Sequence, residues 1–241
     1  MPFVDTAQSR LYYEVYGKGP PLLALPPGGM DAGIAFWDKT AFHPVAAFAD
    51  AFSVIVFDER HSGRSSGSVA AESPWDAYAA DHLALLDHLG LARVHAFGCC
   101  IGCSHALKLA QCAPARVASL VLEQPVGRSP DNGELLAHAW HAWAARLAAQ
   151  PDGPSPQALA AFAEAMWQGD FVLSVPREAV AACTLPMLVL PGVDAFHPTA
   201  VGDEIAALAP RAQRLRGWKD SPRAIADAVA AVREFLLRQA I

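Results

Sequence analysis

Residues 94–103 read Val-His-Ala-Phe-Gly-Cys-Cys-Ile-Gly-Cys, and they hold the side chain best suited to covalent chemistry. An apolar β-type run passes straight into Gly98-x-Cys100-x-Gly102 and then into an Ala/Leu-rich helical stretch. So sharp a strand-to-helix turn strains its central residue, and side chains two positions to either side would collide with the turn. Centring the pattern on Cys99 would instead put Phe97 and Ile101 where small residues are needed. Cys100 is therefore the expected nucleophile. Its thiol, ordinarily ionising near about pH 8.5, would face the positive end of the following helix, which favours the thiolate. The backbone N–H of Ile101 would then point to where an oxyanion forms in acyl transfer. Cys99, Cys103, Cys112 and Cys183 are expected to be inert, mostly buried thiols. A second reading of the same segment is Cys100-x-x-Cys103, a spacing used by thiol redox motifs at strand-to-helix junctions.

The elements that must position this segment follow from periodicity. Short β-type runs are expected at Leu11–Tyr16, Leu22–Leu25, Val54–Phe57, Val94–Phe97, Val117–Glu123, Met187–Leu190 and Gln213–Leu215. The middle ones are apolar throughout, as in parallel strands buried on both faces. Helical patterns lie between them at Trp75–Leu89, Ser104–Cys112 and Arg223–Arg238. Trp75, Tyr78, His82, Leu85 and Leu89 fall on one helical face. The alternation predicts an α/β fold, a mostly parallel central sheet flanked by helices. Residues 127–183 break it, with two helical patterns at His138–Ala149 and Gln157–Trp167 separated by Pro151-Asp152-Gly153-Pro154-Ser155-Pro156. We read 1–126 and 184–241 as the core domain and 127–183 as a helical lid inserted into it.

Taken together these segments resemble an α/β-hydrolase nearly end to end. Besides the cysteine turn, Leu22 to Met30 (Leu-Leu-Ala-Leu-Pro-Pro-Gly-Gly-Met) is similar to the family's strand and Gly-rich oxyanion loop. Residues Val54 to Ser65 resemble its strand followed by Asp-x-Arg-Gly-x-Gly-x-Ser, with His61 where glycine is usual. Pro186 to Asp194 resembles the strand whose exit carries the catalytic acid. The likeness implies an oxyanion hole made by the Ile101 amide and a second donor. Pro26 and Pro27 have no N–H, which favours Gly29 or Met30. A cysteine at the turn is similar to dienelactone hydrolases, without further likeness that would assign their substrate. The family's histidine follows the last strand, but here that turn reads Arg216-Gly217-Trp218-Lys219-Asp220, and no histidine occurs in 198–241. His197, in Asp194-Ala195-Phe196-His197-Pro198, is the best substitute base, because a thiol needs less activation than a hydroxyl. Its orienting acid is either Asp194 or Glu123, and Asp194 has the alternative role of holding an Asx-type turn.

Among the remaining histidines, His61 is expected near the pocket mouth. His82, His88, His95 and His105 are expected to have structural or surface roles, and His138 and His141 lie on the first lid helix with Trp140 and Trp143. Trp140 and Trp218 join His61 as candidate pocket residues. No His/Asp/Cys set shows metal-ligand spacing along the chain and no phosphate-binding glycine loop follows the first strand, so no metal or cofactor is expected.

Of 241 residues, 53 % are hydrophobic and 17 % charged, enough for a large buried core. A net charge of −6 without a Lys/Arg cluster argues against a nucleic-acid partner. No apolar run approaches the ~20 residues of a membrane span, and the start Met1-Pro2-Phe3-Val4-Asp5 lacks a signal-peptide layout. Five cysteines, three of them within 99–103, do not form a disulfide framework and suit a reduced, cytoplasmic setting. The expected partner is a small-molecule substrate; oligomeric state stays open. Three functions compete: an acyl-transfer hydrolase acting on an ester, thioester or lactone; a binder, lyase or cyclase on the same scaffold; and a thiol redox protein using Cys100 and Cys103.

Overall fold

A computed structural model describes residues 2–150 and 153–241, so Met1 and the first two residues of the expected loop, Pro151 and Asp152, lie outside the described residues. In chain order the strands are β1 (Phe3–Asp5), β2 (Ser9–Tyr16), β3 (Pro21–Leu25), β4 (Ser53–Phe57), β5 (Ser66–Gly67), β6 (Val94–Cys99), β7 (Val117–Glu123), β8 (Met187–Leu190) and β9 (Ala212–Arg214). The α-helices are α1 (Pro44–Phe48), α2 (Pro74–His88), α3 (Ile101–Cys112), α4 (Gly133–Ala148), α5 (Pro156–Trp167), α6 (Arg177–Ala181), α7 (Thr199–Leu208) and α8 (Pro222–Leu237).

One sheet runs β1-β2-β4-β3-β6-β7-β8-β9, with the short β5 paired to β2. Strands β4 to β9 along this path are parallel, while β2 runs antiparallel to both β1 and β4. Every residue of β6, β7 and β8 is buried, as expected of mostly apolar parallel strands covered on both faces, and the polar His95, Ser119 and Glu123 are buried with them. One face packs Leu23, Ile55, Ala96 and Leu120 against Leu85 and Leu86 of α2, Leu109 of α3 and Ile205 of α7. The other packs Leu22, Val54, Phe97 and Val121 against Phe48 of α1 and Val232, Phe235 and Leu236 of α8. A third apolar cluster lies over the carboxyl ends of the strands. It joins Met30, Ile101 and Trp75 to Trp140 and Trp143 of α4 and to Phe162 and Met166 of α5.

The expected strands and helices are all present, most shifted by one to three residues. The last strand is Ala212–Arg214, one residue earlier than its pattern suggests, and the cysteine turn continues directly into helix at Ile101, three residues before the expected Ser104. Between β7 and β8 the chain forms α4, α5 and the short α6, with no strand among the described residues. Among the described residues no helix is long and apolar enough to cross a membrane.

Candidate active site

The cysteine turn is built by close backbone packing. Cys100 has φ 57° and ψ −120°, far from any relaxed L-residue conformation. Its N–H donates to the Glu123 carbonyl (3.0 Å), and its own carbonyl accepts from Cys103 N–H (3.1 Å). A Cβ at Gly98 would come within 2.3 Å of the Gly102 carbonyl oxygen, and one at Gly102 within 2.1 Å of the Leu25 carbonyl oxygen. The two glycines are thus required by contact with β3 and with each other, which lets α3 start directly under the thiol. Cys100 is half-buried, whereas Cys99 and Cys103 are fully buried. The Cys103 thiol is occupied by the carbonyls of Gly98 and Glu123, at 3.2 Å each. Burial pushes both neighbouring thiols well above their ordinary range.

Cys100 behaves differently. Burial alone would raise its thiol, but the His197 imidazole, assisted by the backbone amides of Gly28 and Ile101, outweighs it and holds the thiol below its usual value. His197 responds in kind. Burial pulls the imidazole down, yet Cys100 and Asp194 together raise it to about 9. The Asp194 Oδ1 atom lies 2.8 Å from His197 Nδ1 and also accepts the backbone N–H groups of Phe196 and His197, at 3.0 Å each. The two roles posed for Asp194 coincide. One carboxylate oxygen forms the Asx-type turn and fixes the imidazole. His197 Nε2 is buried and has no regular hydrogen-bond partner, leaving that nitrogen to face the thiol.

Glu123 is also close but engaged differently. Its carboxyl is wholly buried, and neither oxygen has a hydrogen-bond partner. Burial raises it to about 8, with the Cys99 thiol, Lys219, His197 and Cys100 as its perturbing neighbours. As an orienting acid for His197 it is displaced, because Nδ1 is taken by Asp194. The Gly28 N–H helps lower the thiol, while Gly29 and Met30, the residues expected to give the second oxyanion donor, follow in a short 3₁₀ segment, Gly29–Asp31, with Met30 in the third apolar cluster. Gly28 is the first residue after Pro27 with an N–H to give, a signal the sequence carried.

Trp218, at the family's histidine position, is 3 % exposed and packs edge-on against Phe42. Its Nε1 donates to the Pro191 carbonyl at 2.8 Å, so its ring is anchored in the core below the site while it also edges a cavity with Pro191, Gly192 and Lys219. Trp140 does face the third cluster, stacked on Phe162 with ring centroids 5.6 Å apart. His61 sits edge-on to Trp143 at 5.8 Å, and burial lowers it to about 4, so it is neutral. Lys219 was missed from the sequence. Its ammonium contacts the Gln124 side chain and lies 3.9 Å from Asp194 Oδ2.

A strained residue between β6 and α3, a parallel sheet with helices on both faces and helices inserted after β7 together fix the family. A model described as the alpha/beta hydrolase fold matches residues 21–179. The chain belongs to the alpha/beta hydrolase fold family. RutD of Azorhizobium caulinodans, provisionally named a carbamate hydrolase, is 34 % identical over 122 residues, covering 51 % of this chain and 43 % of RutD. The protein of the same name from Variovorax paradoxus is 35 % identical over 113 residues, covering 46 % and 41 %. The matched region is thus under half the length of these curated relatives. Among solved structures, a hydrolase from Pseudomonas aeruginosa PA01 superposes with a TM-score of 0.72 at 24 % identity over 97 % of each chain. The enol-lactonase of Burkholderia xenovorans LB400 gives 0.69 at 22 % identity, over 98 % of this chain and 100 % of that one. At such identities the likeness establishes the fold.

Proposed function

We propose that the protein is a hydrolase acting by acyl transfer through Cys100. The observation that carries this reading is the convergence on one sulfur of the His197 imidazole and the Gly28 and Ile101 amides, which together outweigh burial and favour the thiolate. The thiolate attacks the substrate carbonyl carbon, and the negative charge that develops on the carbonyl oxygen is taken by the two amides. Collapse expels the alcohol, thiol or amine, which takes its proton from the His197 imidazolium. The neutral imidazole then removes a proton from water, the hydroxide attacks the acyl-cysteine, and the acid leaves as the thiolate is restored. Asp194 holds the imidazole with Nε2 toward sulfur. Helices α4 and α5 serve as the lid, and their indole and phenyl rings favour a small to medium, fairly apolar substrate. Ester, thioester and lactone remain the leading substrate classes; the name of the RutD relatives adds carbamate, and that of the structural neighbour favours lactone. A free thiol nucleophile suits a reducing, cytoplasmic setting.

The test needs no substrate. Iodoacetamide alkylation of Cys100, followed by peptide mass spectrometry across pH, should give an apparent pKa below about 8.5, and His197→Ala should raise it. A slow, ordinary thiol in an accessible peptide, indifferent to His197, would overturn the assignment. Oxidation to a Cys100–Cys103 disulfide would instead favour redox chemistry, and ligand binding that survives Cys100→Ala without turnover would favour a binder.

A further inference from the structure

A second group of functional side chains lies outside the Cys100 site. Glu59 leaves β4 just after Asp58, His82 lies in the third turn of α2, and His105 lies in the second turn of α3. All three are at most 2 % exposed. The His82 Nε2 atom is 2.8 and 3.0 Å from the two Glu59 carboxylate oxygens, and His105 Nε2 is 4.0 Å from Oε1. One donor atom from each residue lies within 4.8 Å of the other two. Around them stand the rings of Phe57, Trp75 and Tyr78, with centroids 5.4, 5.0 and 4.8 Å from the nearer imidazole.

Two facts make this more than core filling. The natural counter-ion for Glu59 is the adjacent Arg60, but that guanidinium is committed to Asp81, through Nε at 2.6 Å and Nη2 at 2.8 Å. Glu59 therefore sits in the interior with no salt bridge to an arginine or lysine among the described residues, only the two imidazoles facing it. His105, meanwhile, makes no hydrogen bond through either ring nitrogen although it is aimed at the carboxylate. Two imidazoles and one carboxylate, dry and converging, are the donor set of a borderline transition ion rather than of calcium or magnesium, which take oxygen donors.

We propose that Glu59, His82 and His105 bind a divalent transition-metal ion of the zinc or cobalt class. On binding, the His82 proton shared with Glu59 shifts to Nδ1, both Nε2 lone pairs turn to the ion, and the carboxylate supplies the third bond. The ion would fasten α3, the helix that begins at the Cys100 turn, to α2 and to the exit of β4. Neither Nδ1 has an acceptor now, and such outer contacts are worth about 10–100-fold in metal affinity. Binding is therefore expected at micromolar concentrations and not as a tightly retained ion.

The test is a titration of chelator-stripped full-length protein with Co(II), read by absorption, alongside equilibrium dialysis with Zn(II). A single bound ion giving visible d–d bands without thiolate-to-cobalt charge transfer is expected, with a rise in Tm. The triple variant Glu59→Leu/His82→Leu/His105→Leu keeps every cysteine and should lose both. His105→Gln, which breaks no hydrogen bond, covers the case in which the triple variant fails to fold; it should weaken binding at least tenfold. Absent binding, binding unchanged in either variant, or a charge-transfer band assigning the ion to cysteine would overturn the site.

Discussion

At the scale of single residues, Cys100 and His197 act on each other, with Asp194 adding to the hold on the imidazole. Burial opposes charge on both, and each is kept charged by its partner. Hydrolysis should therefore have a bell-shaped pH profile. Its acid limb reports the lowered thiol and its alkaline limb the imidazolium, near the value of about 9. Cys100→Ala should cost about 10⁴-fold or more in kcat/KM, and His197→Ala about 10²–10⁴-fold. Asp194→Asn is the more informative change. Asp194 raises the His197 pKa, so losing its charge should move the alkaline limb below 9 while the protein stays folded. A limb that does not move would remove Asp194 from the positioning role. The cysteine was legible from sequence because its glycines sit two residues to either side of it, and the Asp194–His197 pair because both fall in one loop.

At the scale of elements, the Cys100 turn works because β3, β6 and α3 approach more closely than any side chain allows. Gly102→Ala would drive a Cβ into the Leu25 carbonyl at 2.1 Å and should cost about 3 kcal/mol or more in denaturant unfolding. Gly29→Ala is the control. It meets open space and only bears φ +60°, so about 1–2 kcal/mol is expected. Equal losses would show that strain, not contact, governs the loop region. The buried parallel strands were readable because continuous apolar runs have few alternatives, and α4 and α5 from the spacing of their apolar residues. β1 and β5, at three and two residues, are too short to carry a period, and α7 is a short helix with Gly202, a poor helix former, in its interior. Glu59, His82 and His105 were illegible as a group, since each belongs to a different element and only the packing of α2 on α3 brings them together.

At the scale of the whole molecule, the interior carries carboxyl groups that burial keeps protonated well above the pH at which the unfolded chain ionises them. For Glu123 the sign is definite. A carboxyl raised from its ordinary value of 4.5 to about 8 binds its proton more tightly when folded, so stability falls as pH rises through that window. Glu123→Gln should match wild type near pH 5 and exceed it near pH 8, with the Tm gap opening by about 2–4 °C for each kcal/mol gained. A gap that is constant across pH would mean the carboxyl is ionised in the fold. The site has a different dependence on the rest of the chain. Because Asp194 and His197 sit three positions apart on one loop, holding them in register needs no closure of a long segment, and its entropic cost is that of a single turn. Fraying of the last turn around Trp218, which would separate an acid and base carried on different loops, leaves this pair intact. Inactivation by local opening should therefore be all or none, with the 191–198 loop leaving the sulfur as a unit and returning with its internal geometry already formed.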